Sequence, residues 1–327
     1  MKLNKSTSFA LVQVLNGITQ ASLVASQPNA PDVRSVQRAL QRLVELGLIT
    51  KKGSTNNPYY ACSYEDILQA DVPSKLFDNE KRPNSQYRFQ LIEWLDSLSS
   101  AELDRLFAFD LEPSIPDAKI TAKELEHLTI EFSWKSSALE GNTYTLLDTQ
   151  LLLMEGVRAK NRTEFETQMI LNHKDAIAFI MTNLDLFKGE IIYSTLEELH
   201  KTIGKNLGIE PGIRKKIVGI SASNYTPLSN PHQLREQADK ILSIINKSTQ
   251  PYGKALLALA LTPYLQMFED GNKRTGRILA NALLLASVGR GFSLRKTDAR
   301  SLATAYLSFY EFSSLRSLDA ILKTELK

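Results

Sequence analysis

One ten-residue turn constrains this chain more than any other segment: residues 268–277 read Phe-Glu-Asp-Gly-Asn-Lys-Arg-Thr-Gly-Arg. An apolar helical stretch, residues 255–268, precedes the turn, and another, residues 278–285, follows it. Charged and amide side chains are therefore concentrated on one tight turn between two buried helices. The first N–H groups of a helix have no partner within it and carry the positive end of its dipole, so this turn predicts an anion site.

Three side chains of the turn have charges suited to phosphate. Arg274 and Arg277 are three residues apart and flank one helix face. Asp270 can hold a divalent cation, which phosphate sites favour because the metal neutralises the charge of the ligand. The turn predicts a polyphosphate site, and the expected ligand is a nucleotide with magnesium. The glycine pattern of a P-loop is absent from the sequence.

The turn resembles the signature loop of the Fic family, whose pattern is His-x-Phe-x-Asp/Glu-Gly-Asn-Gly/Lys-Arg-x-x-Arg. Seven positions match at the family's spacing: Phe268, Asp270, Gly271, Asn272, Lys273, Arg274 and Arg277. The resemblance implies transfer of a phosphate-containing group, usually AMP from ATP, to a hydroxyl of a target protein. It implies that the loop, including Gly276, binds the nucleotide, that Asn272 and Arg274 act in catalysis, and that Asp270 holds magnesium.

The loop departs from the family at its first position, where Gln266 replaces the histidine. That histidine is the family's general base, and a glutamine amide cannot accept a proton near neutral pH. General base catalysis is worth roughly 10²–10⁴ in rate, so the resemblance implies an enzyme weakened by about that factor, or no enzyme. The sequence does not show which other histidines approach the loop, and the candidates are His127, His173, His200 and His232.

A second departure leaves the transferred group open. Lys273 stands where AMP-transferring members of the family mostly carry glycine. Lysine at that position accompanies phosphate transfer in the Doc-like kinases, but those kinases lack the last arginine, which this chain keeps as Arg277. Both AMP transfer and phosphate transfer therefore remain expectations.

Two further segments resemble parts of the family. Ser136, Glu140 and Gly141 match its inhibitory motif, Ser/Thr-x-x-x-Glu-Gly/Asn. In the family this glutamate pairs with the last arginine of the loop, and a carboxylate and a phosphate cannot share one guanidinium. Residues 211–227 resemble the β-hairpin flap that holds the target segment beside the loop, and an ordinary surface hairpin is the alternative. The expected flap positions are Val218, Ile220 and Tyr225.

The N-terminal segment differs in kind, because residues 7–63 resemble the winged helix-turn-helix of bacterial regulators. Residues 1–63 contain seven Lys or Arg against Asp32 and Glu45, a formal charge of +5, whereas the whole chain has +3. A recognition helix and a wing would bring these cations to DNA phosphates, although a winged helix can also contact protein. The expected DNA-contacting residues are Arg34, Arg38, Arg42, Lys51 and Lys52.

The chain as a whole is predicted to be all-α, with a Fic helical core, a β-hairpin flap and an N-terminal winged helix. We expect the winged helix at 1–63, a helical connector at 64–125 and the Fic core at 126–327. The single cysteine, Cys62, excludes an internal disulfide and favours a reducing cytoplasm. No stretch of the sequence is long and apolar enough to span a membrane.

Two functions of different classes remain open. One is an enzyme that uses ATP and magnesium to modify a protein hydroxyl, restrained by Glu140. The other is a degenerate Fic core that senses a nucleotide or a protein and regulates transcription through the winged helix. The oligomeric state is also open, and a homodimer is one option.

Overall fold

The computed structural model describes residues 3–55, 57–78, 82–111 and 120–327. The chain divides into two compact units. Unit 1 comprises Met1–Trp94, Gly219–Leu228 and Arg300–Ala320, and unit 2 comprises Leu95–Val218, Ser229–Ala299 and Ile321–Lys327. Residues 79–81 and 112–119 of the predicted connector lie outside the described residues.

The described residues are mostly helical, which confirms the predicted class. The helices, in chain order, are α1 (Lys5–Leu15), α2 (Ala21–Ala25), α3 (Val33–Glu45), α4 (Tyr64–Leu68), α5 (Phe89–Ser97), α6 (Ser100–Leu106), α7 (Ala122–Ala138), α8 (Leu146–Glu155), α9 (Glu164–Thr182), α10 (Leu184–Lys188), α11 (Tyr193–Gly204), α12 (Pro231–Lys247), α13 (Pro251–Leu265), α14 (Asn272–Val288), α15 (Ala299–Phe312) and α16 (Arg316–Leu326). A short 3₁₀ turn covers Ser74–Leu76. None of the helices in the described ranges is long and apolar enough to cross a membrane.

Four short strands complete the described structure. Strands β1 (Ile49–Ser54) and β2 (Asn57–Cys62) form an antiparallel hairpin. Strands β3 (Ser85–Gln86) and β4 (Tyr225–Thr226) pair in parallel. Of the strands in the described residues, β1 and β2 are therefore the two that form a hairpin.

The segment predicted to form the flap, residues 211–227, does not fold as a hairpin. It contains one strand, β4, which pairs with β3. Its backbone donors have partners elsewhere: the Arg214 N–H donates to Met267 O at 3.0 Å, and the Asn224 N–H donates to Glu311 Oε1 at 3.0 Å. Because these groups are already hydrogen-bonded, they are not available to a second flap strand.

Unit 1 is built around three N-terminal helices and the β1–β2 hairpin. Helix α3 starts where Asp32 Oδ1 accepts from the Ser35 N–H at 3.0 Å, which satisfies one free donor of the first turn. Apolar residues of α3 recur at helical spacing and pack into the core of this unit, namely Val36, Leu40 and Leu43. The opposite face of α3 is exposed and polar.

Unit 2 is centred on α13 and α14, which contact each other and are joined by residues 266–271. Every residue of α13 from Ala255 to Leu265 is buried, so this part of the helix is surrounded by protein. Gly276 lets α14 approach α13 closely, since a Cβ at this position would lie 2.9 Å from Pro263 Cδ. Helices α9, α10 and α11 also contact α14, and α7 packs against α9. These contacts fix both ends of the loop between α13 and α14.

Candidate functional site

The loop between α13 and α14 is held closed by a side chain of α14. Gly271, in the left-handed region at φ 80°, precedes the first residue of α14. Asn272 Oδ1 accepts from the Phe268 N–H at 3.0 Å, and Asn272 Nδ2 donates to Phe268 O at 2.9 Å. The amide predicted to act in catalysis is thus engaged with the loop backbone, where it fixes the conformation of the turn.

Gln266 ends α13 and is buried, with 8% of its surface exposed. Its backbone is left-handed at φ 50°, a region that few residues other than glycine adopt. Its Nε2 donates to Pro263 O at 2.6 Å, and its Oε1 accepts from Asn272 Nδ2 at 3.3 Å. The side chain therefore satisfies a carbonyl that the helix end leaves free. It brings no group that can take up a proton near neutral pH.

The first turn of α14 presents unpaired donors. Thr275 N–H donates to Gly271 O at 2.8 Å, so the three preceding N–H groups have no acceptor within the helix. Arg274 Nη2 donates to Asp270 Oδ2 at 2.9 Å. Arg274 Nη1 is buried and has no hydrogen-bond partner in the part of the chain that the structure describes. Burial lowers the pKa of Arg274, which remains a cation, and the charge of Asp270 opposes this shift.

The structure brings Glu140 to the loop as the sequence predicts. Glu140 Oε1 lies 2.8 Å from Arg277 Nη2, and Glu140 Oε2 lies 3.2 Å from Lys273 Nζ. Arg277 also donates through Nε to Ser136 Oγ and through Nη2 to Ser136 O, both at 3.0 Å. Gly141 follows in the left-handed region at φ 91°, which turns the chain away after the carboxylate. Two of the three guanidinium nitrogens of Arg277, Nε and Nη2, thus bond to the segment 136–141.

The electrostatics of Glu140 favour its ionised form. Burial raises the pKa of this carboxyl, but the charges of Arg277 and Lys273 and the hydrogen bond from Arg277 outweigh burial. The pKa of Glu140 therefore lies below its usual value. At neutral pH the group is a carboxylate, and it competes with any anion for the same two cations.

His173, on α9, contacts the segment 136–141, and sequence spacing gave no signal for this contact. Its Nδ1 contacts Met169 O at 2.8 Å and therefore carries the proton, so its Nε2 accepts from Ser136 Oγ at 2.8 Å. Ser136 Oγ in turn accepts from Arg277 Nε. Burial lowers the pKa of His173 to about 3, which agrees with a neutral ring in this chain of hydrogen bonds.

His200, on α11, supports the loop from another side. Its ring stacks on Phe268 with centroids 3.7 Å apart and an interplanar angle of 7°. Its Nε2 donates to Asp270 O at 3.0 Å, because a carbonyl can only accept. Burial lowers the pKa of His200, so the ring is neutral at pH 7 and its Nδ1 carries a lone pair. That nitrogen is buried without a partner among the described atoms.

Two residues from the predicted flap also hold the loop. Arg214 donates from its backbone N–H to Met267 O at 3.0 Å and from its side-chain Nε to Gln266 O at 2.6 Å. Lys216 forms an ion pair with Glu269. These contacts follow from packing between segments about 50 residues apart along the chain.

Other predicted site residues do not meet at the loop in these contacts. Gly276 faces α13, where a Cβ would lie 2.9 Å from Pro263 Cδ and 3.3 Å from Ala258 O. Val218 belongs to unit 2, whereas Ile220 and Tyr225 belong to unit 1. Tyr225 is buried, 3% exposed, and its ring stacks on Tyr310 with centroids 5.5 Å apart.

Unit 1 carries the five cations predicted to contact DNA on exposed positions. Three of them follow α3 at intervals of four residues and therefore share one face of that helix, and two lie on β1. Arg42 pairs with Glu45 at 3.0 Å, and Arg38 Nη2 donates to Ser35 Oγ at 3.2 Å. Lys51 and Lys52 have no ion-pair partner in the described ranges.

Comparison with known proteins assigns the loop and the helices beside it to a family. The model of the Fic/DOC family matches residues 190–284, which contain α11 to most of α14 and the whole loop. The chain contains a Fic/DOC domain. This finding confirms the resemblance that the loop motif carried, and it places Gln266 within the matched residues.

Curated relatives carry the same domain in longer proteins. The chain is 27% identical over 229 residues to a protein named protein adenylyltransferase Fic from Nematostella vectensis. It is 26% identical over 162 residues to protein adenylyltransferase fic-1 from Caenorhabditis elegans. These alignments cover 68% and 48% of this chain but only 52% and 32% of the relatives. The chain therefore spans about half or less of the proteins it matches.

Solved structures show the same fold. One is Fic-1 from C. elegans, with a TM-score of 0.51 at 19% identity, covering 72% of this chain and 66% of that chain. Another is a Fic domain containing signaling protein from Bacteroides thetaiotaomicron, with a TM-score of 0.52 at 20% identity, covering 72% of this chain and 93% of that chain. At sequence identities of 19% and 20%, the similarity to these two structures establishes the fold alone.

The residues of the Fic domain fit ATP and magnesium. The buried Nη1 of Arg274 lacks an acceptor, and a phosphate oxygen is the acceptor that a guanidinium prefers. Asp270 has 66% of its side chain exposed, and Mg²⁺ is commonly bound by one or two carboxylates together with substrate phosphates. The described residues contain no cluster of three His, Cys, Asp or Glu that could hold a metal without a ligand. Asp270 would therefore hold magnesium only together with the nucleotide.

Proposed function

We propose that this chain binds ATP with magnesium at the loop and transfers AMP to a protein hydroxyl, slowly and under restraint by Glu140. The observation that carries the proposal is the 2.8 Å contact between Glu140 Oε1 and Arg277 Nη2. A carboxylate that occupies the last arginine of the loop is useful if that arginine has an anionic ligand to exclude. The names of the adenylyltransferase relatives support AMP as the transferred group.

The role of each residue follows from its place in the loop. Arg274 and Arg277 would bind the outer phosphates, and the free N–H groups of the first turn of α14 would bind the phosphate that reacts. Asn272, His200 and Arg214 fix the loop backbone so that these donors are already positioned. Asp270 would hold the magnesium ion, which neutralises phosphate charge.

The slow rate follows from Gln266. When a protein hydroxyl attacks the α-phosphorus, a new O–P bond forms, pyrophosphate leaves and the hydroxyl proton must go to an acceptor. The Gln266 amide cannot take that proton. Its two polar atoms are already engaged with Pro263 O and Asn272 Nδ2. Binding of the nucleotide does not depend on this residue, so binding should persist where transfer is weak.

The experiment that tests this function uses the Glu140→Gly variant with ATP labelled at the α or the γ position. Transfer of the α-label to a protein, this chain included, supports AMP transfer. Transfer of the γ-label alone identifies phosphate transfer, which Lys273 leaves open. Binding of ATP with neither label transferred would contradict an enzymatic function and support a nucleotide sensor.

A second function is favoured by the surface of unit 1. We propose that residues 1–63 form a winged helix that binds duplex DNA through Arg34, Arg38, Arg42, Lys51 and Lys52. The support is the exposed arginine row on α3, followed directly by a hairpin with two unpaired lysines. In this function, a ligand bound to the Fic domain would change DNA binding by the winged helix.

DNA binding is tested with the full chain and random-sequence duplex in a salt series. Each phosphate contact contributes to the dependence of affinity on salt, so the double variant Arg38→Glu, Arg42→Glu should bind more weakly and with a shallower slope. Arg235→Glu, an exposed arginine of α12 in unit 2, is the control. If the double variant and the control bind DNA equally well, the winged helix would contact protein instead of DNA.

A further inference from the structure

Unit 1 contains a cavity that none of the functions above uses. Its volume is about 600 Å³, which falls in the size range of sites for small molecules. All the residues that line it belong to unit 1. The wall combines the start of α1, the turn before α3, residues 75–76 and 82–83, and the end of α15.

A buried hydroxyl in the wall lacks a partner. Ser8 lies on α1 and is 4% exposed, and its Oγ has no hydrogen-bond partner among the described residues. Many serine hydroxyls in helices donate to the carbonyl four residues earlier, which here is Asn4 O. That carbonyl instead accepts from the Ser8 N–H at 2.8 Å and from Thr7 Oγ1 at 3.0 Å. Because buried polar groups are nearly always hydrogen-bonded, a partner inside the cavity is expected.

The charge of the wall favours an anion. The N-terminus of α1, an 11-residue helix, contributes to the wall. Asn4 Oδ1 caps the Thr7 N–H, and the N–H groups of Lys5 and Ser6 have no acceptor within the helix. Lys5 and Lys75 also line the cavity, and neither has an ion-pair partner in the ranges that the structure describes. Arg82 lines it too, but its charge is balanced by Glu311 at 2.7 Å. The net charge of these four side chains is positive.

The wall also has a large apolar part beside the polar side chains of Asn4, Ser6 and Asn29. Its apolar members are Phe9, Ala30, Pro31, Leu76, Pro83 and Phe312. A polar ligand alone would leave this surface without a partner, and a purely apolar one would leave the hydroxyl and the lysines without theirs. We propose that the cavity binds a small amphipathic carboxylate, with the carboxylate at Ser8, Lys5 and Lys75 and a short hydrocarbon or aromatic body against Phe9 and Phe312.

Such a ligand would contact the turn that sets the start of α3. Asn29, Ala30 and Pro31 line the cavity, and Asn29 has a left-handed backbone at φ 60°. They are followed at once by Asp32, which caps α3. A bound carboxylate would therefore restrict the turn before the arginine-bearing helix, so the cavity is suited to a small-molecule effector of unit 1.

The test measures binding of hexanoate and benzoate to the full chain by calorimetry and by ligand-observed NMR. Hexan-1-ol and benzyl alcohol serve as neutral probes of matching shape. We expect both carboxylates to bind and the alcohols to bind at least about tenfold more weakly, because a charge-assisted hydrogen bond is lost. Equal affinity for acids and alcohols would overturn the proposal, as would failure of both acids to bind.

Three variants locate the binding site. Ser8→Ala removes the unpaired hydroxyl while keeping a good helix former, and Lys75→Glu reverses one charge. Each should weaken the carboxylates by about tenfold. Lys160→Glu, at an exposed lysine of unit 2 that does not line the cavity, should leave binding unchanged. Unchanged affinity in Ser8→Ala and Lys75→Glu, or an equal loss in Lys160→Glu, would show that the acids bind elsewhere.

Discussion

The carboxylate of Glu140 bridges Arg277 and Lys273, at 2.8 Å and 3.2 Å. Both cations belong to the first two turns of α14, whose N-terminus presents the free donors of the loop. Glu140 therefore occupies the charges that an incoming polyphosphate would need. With 19% of its side chain exposed, Glu140 lies nearer the surface than Arg277, of which 1% is exposed.

The first prediction concerns nucleotide affinity. Glu140→Gly removes the carboxylate and frees both cations, so the affinity for ATP with magnesium should rise by about tenfold or more. Isothermal calorimetry on the full chain measures the change. The matched control is Glu131→Gln, which removes an acidic charge from α7 that pairs with Arg295. If both variants gain affinity equally, the effect is one of net charge and Glu140 has no special role.

The second prediction concerns the pH dependence of stability. Burial lowers the folded-state pKa of His173 from 6.5 to about 3, so the unfolded state binds more protons between these two values. Stability should therefore fall as pH drops below 6.5, by about 2 kcal/mol for this group at pH 5. Denaturant titrations at pH 7 and pH 5 measure the loss. Burial lowers the pKa of His200 as well, so that group adds to the loss in the same direction.

A variant assigns this dependence to His173. His173→Gln keeps an amide that can bond to Ser136 but has no group that titrates near pH 6, so its stability should fall less between pH 7 and pH 5. The contribution of His200 should remain, because His200 contacts the loop and not Ser136. An equal loss in the variant and the parent would mean that His173 is not the buried neutral group.

The loop and the segment 136–141 could be predicted from the sequence because each matches a local pattern of the Fic family. Most of the residues that contact these two segments could not be predicted. Ser136 and His173 are 37 residues apart, and Ser136 and Arg277 are 141 residues apart, so only the packing of α7, α9 and α14 brings them together. Family resemblance predicted the pair of Glu140 and Arg277, but no motif indicated the Ser136–Arg277 bond or the contact with His173.

The flap shows a different limit. The resemblance of residues 211–227 to the family's flap predicted a hairpin, yet the Arg214 and Asn224 donors bond to Met267 and Glu311. Tertiary hydrogen bonds outweigh a weak local preference for strands. The role of Gly276 is also ambiguous in the sequence. A glycine beside a phosphate-binding loop and a glycine between closely packed helices cannot be told apart there.

The third prediction separates those two roles of Gly276. Gly276→Ala places a Cβ 2.9 Å from Pro263 Cδ. Pro263 is a buried residue of α13, so its ring cannot move freely. Overpacking of about 1–3 kcal/mol should exceed the gain in helix propensity of up to about 1 kcal/mol, so stability should fall. ATP affinity should stay unchanged in the folded variant. The control is Gly219→Ala, where a Cβ meets nothing within 4 Å. Weaker ATP binding with unchanged stability would instead place Gly276 at the phosphates.

The fourth prediction concerns the base that the loop lacks. Gln266→His in the Glu140→Gly background introduces an imidazole at a left-handed position that histidine tolerates. Transfer from labelled ATP should rise by roughly 10²–10⁴, because the hydroxyl proton then has an acceptor. The rate should also increase with pH through the range around 6.5 where imidazole loses its proton.

The matched control for this variant is Gln266→Asn, which keeps an amide in the same left-handed position and accepts no proton. It should bind ATP as the Glu140→Gly parent does and show no gain in transfer, since only the imidazole supplies a base. A histidine variant that binds ATP but transfers no faster than the asparagine variant would mean that the loop lacks more than its base. A domain that only senses the nucleotide would be expected to have lost more than one catalytic residue. Regulation through unit 1 would then be better supported than AMP transfer.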